Sequence, residues 1–491
     1  MASAKVLVVV LCLALLFIAR TEAFYLSSSF LLPPLLPTWR QQHAIIPHTT
    51  TPLVLRASTS SALQGPSNRG GSIPSFKVMD ILKRANELSA DGSSAPPVLH
   101  CEVGQPQTGA PSAVLDAAMR ALQNDKLGYT DAMGIPALKN QIVRHYAKRY
   151  GGVKVDPARI IITTGSSAGF LLTFIGCFDI GACVAGSSSG YPCYKNLLQS
   201  FGCELVPVEV NSEFKLTAVE LDACVAARRK QGLPPLSGLI ISSPSNPTGA
   251  MLSPSELKAL CASCDRHGIR FISDEIYHGI TYPPHSAPPG TPAPTAPTAL
   301  SYSTTAVVVN SFSKRYSMSG WRLGWLVVPD SLIPSVNSLQ QNMFINAPTI
   351  SQLAAVEAFN EGTEKELDAN VENYAKARKL WLDCLTGLNG VTAVAPADGA
   401  FYIYVDISAS VSGELDAVKL CERLLEDERV AVTPGTDFEF DENVGRRRFR
   451  ISYAGGEAVA RSAVERFLRF FERWRKLVDE DKKRVIRRTE K

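Results

Sequence analysis

The sequence predicts an α/β protein with two parts: a larger domain whose mostly parallel sheet is flanked by helices, and a smaller α+β domain. Three observations predict it. Between about residues 111 and 345, short apolar runs alternate with helical patterns, an order that puts helices on both faces of a parallel sheet. Several of these runs, among them Ile160–Ile162, Gly238–Ile241 and Ile269–Ile272, stop abruptly at hydroxyl, glycine, proline or carboxylate residues, as strands do where a sheet edge turns into a loop. At 491 residues, 45% hydrophobic and 20% charged, the chain is also long enough for a large core and more than one domain.

Residues 1–71 have a different composition from the rest. Lys5 precedes the apolar run Val6 to Ala19, which falls short of the roughly 20 residues a spanning helix needs and suits a signal-peptide core. Thr21-Glu22-Ala23 fits a cleavage site, and an uncleaved anchor is the lesser alternative. From Phe24 to Met79 there is no Asp or Glu, while Ser, Thr and Pro abound and Arg40, Arg56, Arg69 and Lys77 supply positive charge. That is transit-peptide composition. A signal peptide followed by Ala23-Phe24 and an acid-free stretch resembles the bipartite leader of plastid proteins in algae with complex plastids. The expected destination is a plastid stroma, another endomembrane-derived compartment being the alternative. The 11 cysteines lack disulfide-framework spacing, which fits a reducing compartment better than secretion.

Residues 72–110 are expected to open the small domain with an amphipathic helix around Val78–Ala85 and the loop Val103-Gly104-Gln105-Pro106. Residues 111–345 form the expected large domain. There, Ile160–Ile162 leads through Gly165 into a helix start whose free backbone N–H groups at Ser166, Ser167 and Ala168 suit an anion. The strand Gly238–Ile241 runs into Ser243-Pro244-Ser245-Asn246-Pro247-Thr248-Gly249, which holds Asn246 at the strand's carboxyl edge. Ser253-Pro254-Ser255-Glu256 reads as a capping box. The helix it opens carries Cys261 and Cys264, for which a half-buried face is expected rather than redox chemistry. A second strand ends in Asp274, with Tyr277 three residues on. Open parallel sheets bind ligands at that edge. Residues 283–298, rich in Pro, Ala and Thr, read as an exposed, flexible insertion with no assigned chemistry. Residues 346–491 complete the small domain, with strands near Ala400–Ile407 and Arg448–Tyr453 and a basic, solvated helical tail. Alternation along the second strand puts Arg448 and Arg450 on one side.

Segment 311–324, SFSKRYSMSGWRLG, carries the chemistry. A lysine amine attacks an aldehyde only when deprotonated, and nearby positive charge or desolvation raises that fraction. Lys314 has Arg315 and Arg322 nearby in sequence. Hydroxyls and a guanidinium are also the donors a phosphate ester needs. The segment reads as the anchor of an aldehyde cofactor that also bears a phosphate, against the plainer alternative of a polar loop before a strand. Seven scattered histidines and a lone Cys261-x-x-Cys264 pair supply no metal-ligand spacing, so no metal is expected. A net charge of +4 leaves no nucleic-acid footprint once leader and tail are set aside, and no membrane association is expected after leader removal.

Taken in order, the Asn246, Asp274 and Lys314 segments resemble the class I and II aminotransferases, the fold-type-I enzymes that use pyridoxal 5′-phosphate (PLP); the likeness runs from about Ser75 to Phe471. The resemblance implies that Lys314 forms the Schiff base, that Asp274 pairs with the ring nitrogen, and that Asn246 and Tyr277 bind the ring oxygen. It further implies a phosphate set of Ser166, Ser167, Ala168, Ser311, Ser313 and Arg322, and ring stacking by Tyr191, with Tyr194 the lesser candidate. Arg450 would hold the substrate α-carboxylate under the Gly104 loop, with Asn246 beside it. Tyr129, in Leu127-Gly128-Tyr129-Thr130, would reach the neighbouring subunit's phosphate, which implies a homodimer.

The activity implied is ping-pong transfer of an amino group from an amino acid to a 2-oxo acid. A carbon–sulfur β-lyase on the same fold is the alternative, and a non-catalytic PLP-binding regulator a remote one, since no DNA-binding pattern precedes the domain. The stretch Asn342–Thr349, expected to line the substrate side-chain pocket, has no cation, with Lys195 as a substitute. A neutral or aromatic donor is therefore expected, with glutamate and 2-oxoglutarate as exchange partners.

Overall fold

Strands β2 (Ile160–Thr163), β3 (Cys183–Ser187), β4 (Glu204–Val208), β5 (Leu236–Ser242), β6 (Arg270–Asp274), β7 (Val307–Ser311) and β8 (Gly324–Val327) form a seven-stranded sheet in the order β2-β8-β7-β6-β5-β3-β4. All neighbours are parallel except β8, which runs antiparallel to β7 and β2. The computed structural model describes residues 65, 67–71, 73–90 and 95–489, so the expected leader lies almost wholly outside the described residues.

Both faces of this sheet are covered. Val308 of β7, Phe271 of β6 and Leu239 of β5 point into one core, whereas Val307, Val309, Ile272 and Ile240 point into the other. Strands buried on both faces have no polar side, which is why the sequence shows continuous apolar runs there rather than alternation. The first core is closed by helices α2 (Ser112–Asn124), α3 (Pro136–Arg149), α6 (Ala218–Lys230) and α7 (Pro254–His267), through Val114, Leu138, Leu221 and Leu260. The second is closed by α4 (Gly165–Cys177), α5 (Pro192–Ser200) and α8 (Ile333–Met343), through Phe170, Leu198 and Val336. The Ser253–Glu256 capping box starts α7, and left-handed Gly268 ends it. Cys261 and Cys264 are both buried there as free thiols, and burial pushes the Cys261 thiol up to about 12.

A second sheet, order β12-β13-β10-β9, is antiparallel: β9 (Ala393–Val394), β10 (Tyr402–Asp406), β12 (Thr433–Pro434) and β13 (Arg448–Ser452). Beside it, β1 (Leu99–His100) pairs in parallel with β11 (Val430–Ala431). The amphipathic helix expected near residue 78 is α1 (Lys77–Ala90), whose Ala85 and Leu88 pack on Leu425 and Ala431. Helices α11 (Ala417–Glu428) and α12 (Gly456–Thr489) flank this sheet, and the basic tail residues belong to the end of α12.

Two expectations need correction. The boundary at 345 falls too early: α9 (Thr349–Ala355) and the start of α10 (Glu361–Leu385) contribute Ala354, Ala355 and Leu367 to the large-sheet core, and α10 reaches the small-sheet core from Val371 onward. A helix can serve two cores, and nothing in its own sequence marks the changeover. The Pro-rich segment is exposed over much of its length, yet its end is not. Ala296 and Thr298 are buried, because the Thr298 hydroxyl and the Ala299 N–H donate to the buried carboxylate oxygen Glu275 Oε1 at 3.1 and 2.9 Å.

Candidate active site

The carboxyl ends of β5, β6 and β7 and the start of α4 open onto a cavity of about 700 Å³. Its walls bring together Gly104, Ser166, Ser167, Tyr191, Asn246, Asp274, Tyr277, Ser313, Lys314, Arg322 and Arg450, residues drawn from segments up to 346 positions apart.

Lys314 lies on the loop after β7. Its Nζ donates to the Gly104 carbonyl at 2.6 Å. Burial pushes the amine down to about 8, with Arg450 and Arg322 adding to the effect and Asp274 opposing it. The expected positive neighbour Arg315 is not one of the causes. Its guanidinium points away, donating to the Leu367 carbonyl at 2.8 Å and pairing with Asp368 at 2.5 Å. Adjacent residues on an irregular loop point in different directions, so sequence proximity misidentified the partner.

Asp274 ends β6 almost fully buried. Burial pushes its carboxyl up to about 7, opposed by the Tyr194 hydroxyl, the Ile276 N–H at 3.1 Å and Lys314. This separates the two tyrosines of the α5 entry. Both line the cavity, but the Tyr191 ring is stacked 6.3 Å from Phe76 at 16°, while the Tyr194 hydroxyl donates to Asp274 Oδ2.

Arg450, on β13, is 4% exposed. It donates to Asn246 Oδ1 at 2.8 Å and to the Glu102 carbonyl at 2.5 Å, and its plane lies over the rings of Phe438 and Tyr402 at 4.4 and 4.5 Å. Its Nε is buried without a partner. The Tyr402 hydroxyl also meets the Tyr277 hydroxyl at 2.8 Å. A Cβ on Gly104 would fall 1.7 Å from Tyr402 Oη, which accounts for the glycine.

At the opposite end, Ser166 and Ser167 in the first turn of α4 face Ser313, Ser319, Gly320 and Arg322. Gly165 has φ +71°, and a Cβ there would stand 2.5 Å from Arg322 Nη2. Free N–H groups, hydroxyls and a guanidinium around one space form an anion cradle.

Three expected residues lie elsewhere. Ser311 does not line the cavity: its Oγ accepts the Ser313 N–H at 3.1 Å and so braces the loop. Ala168, buried in the first turn of α4, is not on the cavity wall, its expected part being a backbone N–H. Tyr129 is 83% exposed and outside the cavity of its own chain. The stretch 342–349 does not line the cavity either, and Lys195 stands over the Phe440 ring at 4.8 Å in an adjoining crevice. Among the described residues, no cluster of His, Cys, Asp and Glu could hold a metal ion, and no helix is long and apolar enough to cross a membrane.

Sequence reasoning missed Phe76, Tyr402, Asp437 and Phe438, all on the cavity wall. Tyr402 left one signal, its place in the expected strand Ala400–Ile407. The others come from loops and a helix start and left none.

The cavity's chemistry fits PLP. It offers a depressed amine with a single protein hydrogen bond, a buried carboxylate, an anion cradle and a second guanidinium whose Nε lacks a partner. Comparisons with known proteins agree. Residues 96–467 match the family model of class I and II aminotransferases. The chain is 43% identical over 399 residues to a valine–pyruvate aminotransferase of Mycobacterium tuberculosis, covering 80% of this chain and 95% of the relative. It is 31% identical to an aspartate aminotransferase of Geobacillus stearothermophilus, covering 83% and 98%. Among solved structures, an aminotransferase from Mycobacterium tuberculosis superposes with a TM-score of 0.74 at 42% identity, covering 82% of this chain and 98% of the other. The aspartate aminotransferase of Thermus thermophilus with maleate reaches 0.73 at 28% identity, covering 83% and 100%. These relatives favour neither the lyase nor the regulator alternative. With this fold, this cavity and these relatives, the chain belongs to the class I and II aminotransferases, PLP-dependent enzymes that move an amino group from an amino acid to a 2-oxo acid.

Proposed function

We propose that the amino donor is an amino acid with an uncharged, apolar side chain. One observation carries this reading. Among the described residues, the cations on the cavity wall are Lys314, Arg322 and Arg450, and each has another role in this reading, so none is left for a side-chain carboxylate. The rest of the wall includes the apolar Phe76, Val78, Met79, Val103, Ile276 and Phe438 with the uncharged Gln105 and Ser319, and the Asp437 carboxyl is no partner for an acidic side chain. The likeness to a valine–pyruvate aminotransferase supports the same class.

The residue roles follow from position. Bound PLP supplies an electron sink for the bond broken at the substrate Cα. Lys314 Nζ would take the proton from that carbon and deliver it to the cofactor's C4′. Asp274 presents its carboxylate to the ring nitrogen, while Asn246 and Tyr277 offer hydrogen bonds to the ring oxygen. Arg450 grips the α-carboxylate as a fork, using the hydrogen-bonding capacity now spent on Glu102 and Asn246. Ser166, Ser167, Ser313 and Arg322 hold the phosphate, with Tyr129 reaching the same end of the partner subunit's site in a homodimer. That role suits a large aromatic exposed on its own chain.

Adding amino acids singly to the purified enzyme and following the cofactor absorbance tests the donor class. Valine, alanine and leucine should convert the spectrum, and a 2-oxo acid should restore it. Conversion by aspartate alone overturns the proposal. We also propose that residues 1–71 direct import into a plastid stroma, on the strength of their composition. A tagged chain should reach the stroma and lose that address when Phe24→Ser is introduced; a secreted signal overturns it.

A further inference from the structure

One cluster of buried polar groups next to Tyr277 has no part in the roles above. His278 follows Tyr277 and is 6% exposed. Its Nε2 is 3.0 Å from the Ser243 carbonyl, and its Nδ1 is 2.7 Å from the Tyr150 hydroxyl. A carbonyl can only accept, so Nε2 bears the proton and donates, and Nδ1 accepts from Tyr150. Glu275 Oε2 lies 3.5 Å from the same Nδ1 without a hydrogen-bond partner. Burial pushes His278 down to about 3, with Arg149 and His145 acting in the same direction, and pushes Glu275 up to about 8. The ring is therefore a neutral donor locked in one tautomer.

Its acceptor is well placed. Ser243 donates its N–H to the Asp274 carbonyl at 3.2 Å, its Oγ accepts the Leu252 N–H at 3.0 Å, and Asn246 lies three residues on. One residue thus joins the strand end that carries Asp274 to the loop that carries Asn246. We propose that His278 is a positioning residue: by holding the Ser243 carbonyl through Nε2–H, with Tyr150 selecting the tautomer, it sets the spacing of the two cofactor-facing groups Asp274 and Asn246. A buried hydrogen bond with a fixed donor restricts loop displacement more than packing alone does. The inference rests on the proposed roles of Asp274 and Asn246.

The test uses His278→Leu, which removes the donor; His278→Gln, whose amide restores a donor near Nε2; and Tyr150→Phe, which frees the tautomer with little change of shape. Apoenzyme is titrated with PLP, and the pH midpoint of the bound cofactor's visible absorbance is recorded alongside the melting temperature. His278→Leu should weaken PLP binding roughly tenfold and move the midpoint upward by about half a unit or more, because a displaced Asn246 stabilises the ring oxygen less. His278→Gln should recover most of both, and Tyr150→Phe should shift the midpoint the same way by less. A merely structural histidine would lower the melting temperature in all three while the midpoint stays at its wild-type value, and that result overturns the proposal; so does an equal shift in the Leu and Gln variants. Should the Leu variant not fold, the Tyr150→Phe midpoint decides alone. Asn246→Ala, measured in parallel, should move the midpoint further. If it does not, the assumed role of Asn246 fails separately from that of His278.

Discussion

Lys314 owes its depressed pKa to enclosure more than to charge, which favours the neutral amine that the proposed proton transfer from the substrate Cα requires. Lys314→Ala should cut turnover by about 10³-fold or more with the fold intact, checked by single-turnover kinetics and circular dichroism. Asp274 poses the opposite problem, since burial works against the carboxylate the ring nitrogen needs. Tyr194 offsets part of that cost. Tyr194→Phe removes a donor that lowers the Asp274 pKa, so the acid limb of the pH–rate profile should move to higher pH, by about half to one unit. Glu275 gives a stability prediction. Its folded pKa of about 8 lies above its unfolded value near 4.5, so the folded state binds the extra proton between those limits and stability falls as pH rises through them. Glu275→Gln should flatten that fall, read as the difference in melting temperature between pH 6 and pH 8.

At the scale of elements, the loop after β1 meets β10 with no space to spare. Gly104→Ala would drive its methyl group into the Tyr402 hydroxyl, displacing the carbonyl that holds Lys314; a ~10-fold or larger loss in kcat/KM with little change in melting temperature is expected. The Pro-rich segment divides into an exposed stretch and a buried end. Thr298→Val should destabilise the fold by about 1 kcal/mol through the lost hydrogen bond to Glu275, measured by denaturant unfolding, whereas exchanging the exposed residues Pro292 to Thr295 for serines should leave stability unchanged.

At the scale of the whole molecule, the cavity is assembled from segments on both sides of the large sheet's span in the chain, so a chain starting at Ser72 should bind PLP, and under the proposed homodimer Tyr129→Phe should weaken that binding roughly tenfold, followed by absorbance titration. Much of this was legible beforehand. Short apolar runs ending in Asn246, Asp274 and Lys314 marked strand ends and their chemistry, because burial on both faces and exit at one edge are properties of local composition. The sequence could not show that Arg450 and not Arg315 faces Lys314, that Ser311 braces a loop, that Tyr194 serves Asp274, that Tyr402 and Phe438 sandwich Arg450, or that α10 spans two cores. Local residue type and spacing determined the sheet, its functional edge and the cofactor's anchor. Side-chain direction on irregular loops, and contacts between residues hundreds of positions apart, were decided only by tertiary packing, because they depend on where separate elements meet and not on what either element contains.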